Sequence, residues 1–398
     1  MMRVQAEIGA SPDGGLSRPS LSLPDLEVRE WFRQAVEAQG LRYQIDGAGN
    51  QSGILHCTDP QAPTLLIGSH LDSVPNGGRY DGALGVIAAL ETAFTLKEAG
   101  TYLPFHLEVI NFTDEEGTLV GLLGSSALTG SITRDALLQP RGGRHALESG
   151  MARLGLSPNS IIDAHRDPAR LSGYIEVHIE QGTRLEQSQT DIGVVTSVVG
   201  IRSMWLVFTG EAAHAGTSPM DGRRDAFRGA AQFALDARDR VVQDFHPGVV
   251  NFGDIEIAPG AFNIVPSEVR LGVEFRHGDQ TELETMEDAL LSLANQIATT
   301  LDLELQVIRM HDLQPAPMAP QAIRAVEAAC KTLGLKHQPL LSFAGHDAQS
   351  MAKVTPSALY FVPSVDGISH NAKEYTRDQD CINAANVMLH TVLQWRDL

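Results

Sequence analysis

Apolar and polar positions along the chain fall into two patterns. Short apolar or alternating runs, bounded by proline, glycine or charged residues, predict strands of a buried sheet. They lie at 64–67, 105–113, 174–180 and 357–362. Longer segments with apolar residues at every third or fourth position predict helices. These lie at 23–40, from Gly85 onward, at 321–334 and at 378–395. We therefore predict the α/β class, with a central mixed sheet flanked by helices.

The pattern changes near Gly200, after a predicted strand at 192–199. The segments that follow have the β-α-β-β-α-β order of a ferredoxin-like α+β domain. They are strand 204–209, helix 223–242, strands 249–257 and 268–275, helix 282–300 and strand 304–309. We expect residues 201–311 to form an inserted domain within a catalytic domain made of residues 1–200 and 312–398.

Composition narrows the possible functions. The 398 residues are 43% hydrophobic and 20% charged, which is typical of a globular protein. Lys and Arg number 30 against 49 Asp and Glu, so the net charge of -19 argues against nucleic acid or an anionic membrane as a partner. Three scattered cysteines indicate neither a disulfide framework nor a thiolate metal site, and no apolar run is long enough for a membrane span. We expect a cytoplasmic protein.

The strand at 64–67 runs into the segment GSHLDSVPNGGRYDG, which begins at Gly68. His70 lies where the strand ends, and ligands bind beyond the carboxyl ends of strands in open α/β sheets. Asp72 is two residues further on, so its carboxylate would fix the orientation of a His70 that binds metal. Glycines then allow the turn that returns Asp81 to His70. A lone histidine here would be an ordinary loop residue, but this combination favours a metal site.

Two further strand ends carry side chains of the same kind. The strand at 105–113 runs directly into DEEG, which contains Glu115 and Glu116. The strand at 174–180 places His178 on its more polar face and is followed by Gln181, in HIEQG. Paired glutamates before a glycine also occur in solvated loops. At the end of a core strand, however, they favour a functional site with His70 and Asp81.

Other polar residues stand out in the second half of the chain. His214 lies in EAAHAGTSPMDGRRDA, Asn263 in PGAFNIVPSEV and Arg276 in VEFRHGD, all within the predicted inserted domain. Taken singly, His214 is a loop histidine and Arg276 a surface cation. His346 begins a helix in FAGHDA, and His370 follows the strand 357–362 in GISHNAKEYT. His370 is therefore another metal-ligand type of residue near a strand end.

Together these motifs resemble the hydantoinase/carbamoylase group of the dinuclear zinc-peptidase superfamily M20. GSHLDSVPNGGRYDG, DEEG, HIEQG, HAGTSPMDGRRDA, FRHGD, GHDA and SHNAKEYT occur in the order of that group and span essentially the whole chain. HIEQG is the most informative motif, because the peptidase branches generally have a carboxylate where this sequence has His178.

The resemblance implies two divalent metal ions, with zinc the first choice and manganese, cobalt or nickel the alternatives. One ion is expected on His70, Asp81 and His178, and the second on Asp81, Glu116 and His370. Glu115 is implied as the general base, with Asp72 orienting His70 and His214 stabilising the oxyanion. The implied substrate contacts are Gln181, His214, Asn263 and Arg276, with His346 a further candidate. A homodimer through the inserted domain is also implied.

The chemistry of these residue types agrees with that assignment. Two cations that share a carboxylate activate water and stabilise a developing oxyanion, and Arg276 offers a two-pronged donor for a carboxylate. We expect hydrolysis of N-carbamoyl-L-amino acids to amino acid, ammonia and carbon dioxide. Allantoate or another ureido acid, and N-acyl amino acids or dipeptides, are the alternative substrates. A catalytically silent relative would lack Glu115 or a ligand, and none is missing.

Overall fold

The structure is a computed structural model that describes residues 1–396. Its helices are α1 (Met2–Gln5), α2 (Leu23–Ala38), α3 (Ala83–Glu98), α4 (Leu123–Leu128), α5 (Arg134–Leu138), α6 (Arg144–Arg153), α7 (Pro158–Ile162), α8 (Arg184–Ser188), α9 (Ala226–Asp244), α10 (Gln280–Thr300), α11 (Pro320–Leu333), α12 (Asp347–Met351) and α13 (Asp378–Trp395). Two short 3-10 turns lie at Pro168–Arg170 and Val365–Gly367.

The strands follow the chain in the same way. They are β1 (Arg42–Ile45), β2 (Gln51–Leu55), β3 (Thr64–His70), β4 (His106–Phe112), β5 (Leu171–Ile179), β6 (Ile192–Val198), β7 (Gly200–Thr209), β8 (Ala213–His214), β9 (Val249–Ala258), β10 (Ile264–Val265), β11 (Glu268–His277), β12 (Glu304–Leu313), β13 (Ala316–Pro317), β14 (His337–Ser342) and β15 (Ser357–Val362). The predicted α/β class, with a mixed sheet flanked by helices and an additional α+β unit, is confirmed.

The chain divides into two compact units. The first comprises Met1–Thr196, Met318–Leu340 and the described residues from Gly345 onward, and the second comprises Ser197–Pro317 and Leu341–Ala344. The second unit extends beyond the expected bounds of 201 and 311. The reason is that β7 and β12 are paired along their full length, with Ile201 opposite Leu313.

A mixed sheet forms the centre of the first unit. Its strand order is β1-β2-β4-β3-β5-β15-β6, and β14 also pairs with β6. The four middle strands, β4, β3, β5 and β15, are parallel to one another, whereas β1, β2 and β6 run antiparallel to their neighbours. Since parallel strands have their carboxyl ends at the same edge, His70, Phe112, Ile179 and Val362 end strands on one side of the sheet.

Helix α3 packs on this sheet, with α13 and α11 beside it. It is apolar nearly all round, as expected for a helix buried between a sheet and other helices. The helix begins after Gly82, whose φ is 62°. A Cβ atom at Gly82 would lie 2.3 Å from the His70 ring. Only glycine allows both this backbone conformation and this close approach.

The second unit has its own core. Its four-stranded antiparallel sheet has the order β12-β7-β11-β9, and α9 and α10 supply the remaining buried apolar side chains. Along β11 the residues Val269, Leu271, Val273 and Phe275 are buried and alternate with more exposed ones. This is the predicted β-α-β-β-α-β arrangement. Among the described residues, no helix has the length and apolarity needed to cross a membrane.

Candidate dinuclear metal site

The carboxyl ends of the four parallel strands bring together histidine and carboxylate side chains. His70 is the last residue of β3, and His178 precedes the last residue of β5. Glu116 follows β4, and His370 follows β15. Asp81 lies in the loop between β3 and α3. Two groups of potential ligand atoms result, and the atoms within each group lie within 4.8 Å of one another. The groups are His70, Asp81 and His178, and Asp81, Glu116 and His370.

The two buried imidazoles of the first group present the same nitrogen to the site. Nδ1 of His70 lies 3.0 Å from the backbone carbonyl oxygen of Asp72, and Nδ1 of His178 lies 2.9 Å from that of Ile179. A carbonyl oxygen only accepts, so Nδ1 is the donor in both rings. In a neutral ring Nε2 then keeps its lone pair, and Nε2 of His178 accepts from the N–H of Gly82 at 3.1 Å. Among the described residues, Nε2 of His70 is buried without a hydrogen-bond partner. Both rings therefore have the tautomer that a metal ligand requires.

Asp81 faces both groups through different oxygen atoms. Its Oδ1 lies 2.9 Å from Nε2 of His178 and 3.7 Å from Nε2 of His70. Its Oδ2 lies 3.3 Å from Nε2 of His370, and that same nitrogen lies 3.3 Å from Oε2 of Glu116. Asp81 could therefore contribute a ligand to each of the two groups.

The Asp72 carboxylate lies near His70 but makes no hydrogen bond to its ring. It lies 3.7 Å from Nδ1 of His70, too far for a hydrogen bond, and the backbone carbonyl of Asp72 orients the ring instead. The carboxylate accepts from the backbone N–H groups of Glu115 and Glu116, at 3.3 Å each. Asp72 therefore connects the β3 loop to the DEEG turn, and its main-chain carbonyl holds the His70 ring.

The pKa shifts of the acidic side chains indicate a site that favours cations. Burial alone would raise the pKa of Asp81, but His178, His370 and His70 hold it well below its usual range. Burial, followed by Asp81 and Asp72, raises the pKa of Glu116 to about 10. Burial, followed by Asp347 and Glu116, raises the pKa of Glu115 well above its usual range. Acidic side chains are thus crowded in a buried space, and cations would relieve this repulsion.

The two groups fit divalent metal ions. Each supplies imidazole nitrogen and carboxylate oxygen, which are the donors that zinc and related transition metals prefer. Nε2 of His70 lies 3.7 Å from Oδ1 of Asp81, the carboxylate that both groups share. The residues present therefore fit a pair of divalent cations that share Asp81.

Glu115 and Glu116 are neighbours in sequence but differ in position. Glu116 belongs to the second group, whereas Glu115 belongs to neither. Its Oε2 lies 3.5 Å from Nε2 of His70, and its side chain is 11% exposed. Glu115 thus borders both solvent and the ligand cluster, where it can exchange a proton with a reactant.

Two other predicted site residues also lie near the ligands. Nε2 of Gln181 donates to Oδ2 of Asp81 at 3.0 Å and to Oγ of Ser369 at 3.1 Å, so the Gln181 amide is bound to the carboxylate between the two groups. The ring of His346 lies 4.5 Å from that of His178 and is 1% exposed, and its Nε2 has no hydrogen-bond partner.

The remaining predicted residues lie in the second unit. His214 in β8 is paired with Ile264 in β10, and the backbone carbonyl of Asn263 accepts from the N–H of Ala215, so His214 and Asn263 are close together. Both side chains are exposed. Arg276 precedes the last residue of β11, and its guanidinium binds Glu274 Oε1 at 2.6 and 2.9 Å and the backbone carbonyl of Phe343 at 2.7 Å.

Several polar residues around the ligands were not predicted. The carboxylate of Asp114 accepts from the N–H groups of Leu119, Val120 and Gly121 and so shapes the loop after DEEG. Glu176, two residues before His178 in β5, is fully buried and accepts from Ser69. Glu374 accepts from the backbone N–H of Asp81. DEEG and SHNAKEYT contain Asp114 and Glu374, but sequence spacing does not indicate what these side chains contact.

Comparisons with known proteins agree with this geometry. The sequence pattern of Peptidase family M20/M25/M40 matches residues 66–394. The N-carbamoyl-L-amino acid amidohydrolase of Geobacillus stearothermophilus is 34% identical over 392 residues, which are 98% of this chain and 95% of that protein. The allantoate amidohydrolase of Bacillus subtilis is 31% identical over 376 residues, covering 93% of this chain and 90% of that protein.

A solved structure is also similar over nearly the whole chain. The crystal structure of a hydantoinase/carbamoylase family amidase from Burkholderia multivorans shares 33% identity with a TM-score of 0.89. The similarity covers 99% of this chain and 96% of that one.

The different positions of Glu116 and Glu115 lead to a prediction about cation binding. Loss of a residue that hydrogen-bonds to a metal ligand typically weakens metal binding by ~10–100-fold. Glu116→Gln removes a ligand of the second group itself, so it should weaken binding of the second cation by more than this. Glu115→Gln should bind both cations as the natural protein does. Calorimetric titration of metal-free protein with zinc measures both affinities. Two tightly bound equivalents in Glu116→Gln would contradict the ligand assignment.

Proposed function

The chain belongs to Peptidase family M20/M25/M40 and, within it, to the hydantoinase/carbamoylase amidases, and we propose that it hydrolyses N-carbamoyl-L-amino acids to amino acid, ammonia and carbon dioxide. It is a hydrolase of carbon–nitrogen bonds in linear amides. The observation that carries the proposal is the pair of ligand groups that share Asp81, with Glu115 beside them.

The proposed reaction needs an activated water and a proton donor for the leaving nitrogen. Two divalent cations on the ligand groups would make water acidic enough to lose its proton near neutral pH and would polarise the scissile carbonyl. Glu115 takes the proton of the water and returns it to the leaving nitrogen. Cations nearby would favour the ionised carboxylate and oppose the raised pKa of Glu115, so that it acts first as a base.

We assign the oxyanion contact to His214, and its hydrogen bonds support this role. Nδ1 of His214 lies 3.1 Å from the backbone nitrogen of Gly216 and 3.2 Å from that of Thr217. These N–H groups donate, so Nδ1 is the acceptor and the hydrogen of the neutral ring is on Nε2. The exposed ring can therefore donate a hydrogen bond to a developing oxyanion.

We assign recognition of the substrate carboxylate to Arg276 and place Asn263, Gln181 and His346 among the substrate contacts. The guanidinium already binds one carboxylate, that of Glu274, through two nitrogens. Both nitrogens donate to the single oxygen Oε1 of Glu274. The fork geometry of arginine would also match both oxygens of a substrate carboxylate, and this supports the role. A substrate carboxylate would replace Glu274 or share the guanidinium with it.

Allantoate is the second candidate substrate, because an allantoate amidohydrolase is among the full-length relatives. Allantoate also presents a ureido group and a carboxylate, so the same residues would serve. N-acyl amino acids and dipeptides remain further alternatives. We propose zinc as the cation, with manganese, cobalt and nickel as alternatives. We also propose the reducing cytoplasm as the location, which suits the free thiols of Cys57, Cys330 and Cys381.

The substrate proposal predicts the outcome of an ammonia-release assay. Protein loaded separately with Zn, Mn, Co and Ni should show its highest kcat/KM with N-carbamoyl-L-amino acids, compared with allantoate and N-acyl amino acids. Glu115→Gln should lower kcat by ~100-fold or more on the preferred substrate, because it removes the proton acceptor. A preference for allantoate would establish the second candidate, and activity on neither ureido substrate would exclude both.

Arg276→Lys tests carboxylate recognition. Lysine makes a point contact, so kcat/KM on a carbamoyl amino acid should fall by the equivalent of ~2–4 kcal/mol. On a substrate with a primary amide in place of the carboxylate, the kcat/KM of the variant should be little lower than that of the natural protein. Arg270→Lys is the matched control, because Arg270 lies on the same strand and pairs with Glu256. Equal losses on acid and amide would mean that Arg276 only supports the structure.

We further propose a homodimer through the second unit. Strand β9 is an edge of the four-stranded sheet, and Ile255 and Ile257 on it are 46% and 41% exposed. Exposed apolar edge strands are open to pairing with another chain. Light scattering should give the mass of two chains at micromolar concentration, and Ile255→Lys should shift it toward one. A monomeric natural protein would contradict the proposal.

A further inference from the structure

Glu374 is a buried carboxylate beside the metal site that belongs to neither ligand group. It lies four residues after His370, and 3% of it is exposed. Oε1 accepts from the backbone N–H groups of Tyr80 and Asp81, at 3.0 and 3.1 Å. Oε2 lies 3.1 Å from the hydroxyl oxygen of Ser369. All three partners can donate a hydrogen bond, so both carboxylate oxygens of Glu374 are placed as acceptors.

These contacts connect the loops that carry two metal ligands. Asp81 and Glu374 are 293 residues apart in sequence, and Glu374 and His370 lie in the same loop. The Asp81 loop is shaped to receive the carboxylate, because a Cβ atom at Gly78 would lie 1.9 Å from the carboxyl carbon of Glu374. Glu374 therefore fixes the main chain of Asp81 relative to the loop of His370.

Ser369 lies between two carboxylates. Its Oγ is 3.1 Å from Oδ2 of Asp81 and 3.1 Å from Oε2 of Glu374. A hydroxyl has one proton and can donate it to only one of them at a time. Oδ2 of Asp81 already accepts from Nε2 of Gln181 at 3.0 Å. A cation on Oδ2 would have to compete with the Ser369 proton unless that proton is directed to Glu374.

We propose that Glu374 is a positioning residue for the bridging carboxylate. It holds the backbone of Asp81, and it accepts the Ser369 proton so that Oδ2 of Asp81 stays available to the second cation. The inference rests on the proposed function only in that both require two cations. Glu374 itself belongs to neither ligand group.

Glu374→Gln tests this with little change in shape. If the amide oxygen of glutamine faces the N–H groups of Tyr80 and Asp81, its NH2 faces Ser369 and donates to the hydroxyl. The Ser369 proton is then directed to Asp81. The opposite orientation places NH2 against two N–H donors and is disfavoured. We therefore expect the fold to be retained and Oδ2 of Asp81 to bind cations more weakly.

The measurement is calorimetric titration of metal-free protein with zinc, without substrate. In Glu374→Gln the second cation should bind ~10–100-fold more weakly, while the affinity for the first changes little. Activity should recover when the zinc concentration is raised by the same factor. A merely structural loss of activity would not recover in this way.

A second variant makes the test specific to the proton. Ser369→Ala in the Glu374→Gln background removes the competing proton, so the second cation should bind more tightly in the double variant than in Glu374→Gln alone. Asp46→Asn is the matched control, because the Asp46 carboxylate accepts from the N–H groups of Ala48 and Asn50 in a loop that contains no metal ligand. It should leave both affinities unchanged.

The outcomes separate this inference from the proposed function. If the natural protein binds two cations and Glu374→Gln binds both as tightly, the positioning role is wrong and the proposed function stands. The role is also overturned if Glu374→Gln weakens the binding of both cations equally, or if the double variant binds the second cation no more tightly than Glu374→Gln does. If the natural protein itself binds fewer than two cations, the proposed function and the inference are both wrong.

Discussion

The carboxylate of Asp81 is the constraint on which the site depends. One of its oxygens faces His178 and His70, and the other faces His370. A single side chain can serve both groups only if the ends of β3, β4, β5 and β15 meet at the same edge of the sheet. The parallel pairing of these four strands produces that meeting. The surrounding helices and the antiparallel edge strands stabilise this arrangement.

This arrangement brings several carboxylates close together, and their mutual repulsion is unfavourable. Asp72, Asp81, Glu115 and Glu116 lie close together with little exposure to water. The raised pKa values of Glu115 and Glu116 express this repulsion, since burial and neighbouring carboxylates both favour their protonated forms. Cations remove the repulsion, so cation binding and folding stability should be coupled. Backbone N–H groups donate to Asp72 and Glu374 and so stabilise these two buried carboxylates.

Sequence patterns predicted the elements whose apolar residues repeat regularly, including β3, β4, β5, β15 and the two helices of the second unit. They missed β2, since Gln51 and Ser52 are buried there through hydrogen bonds to Tyr43 and Glu108 and no apolar alternation results. His70, His178 and Glu116 were recognisable because each lies at or soon after a strand end. Asp81 was placed by the glycine-rich turn that follows His70, and the complete ligand sets were implied by the family resemblance. The contacts of Glu374 were not recognisable, because hydrogen bonds between residues nearly 300 positions apart leave no periodic signal.

Backbone groups also determine which ring nitrogen of each histidine carries the hydrogen, and the sequence alone does not show this. Carbonyl oxygens face Nδ1 of His70 and His178, so both rings carry hydrogen on Nδ1 and offer the lone pair of Nε2 to a cation. N–H groups face Nδ1 of His214, so that ring carries hydrogen on Nε2 and can donate it. Residues of one type thus have opposite hydrogen-bonding roles at Nε2. Local loop conformation, more than the presence of histidine, separates the proposed cation ligands from the proposed oxyanion donor.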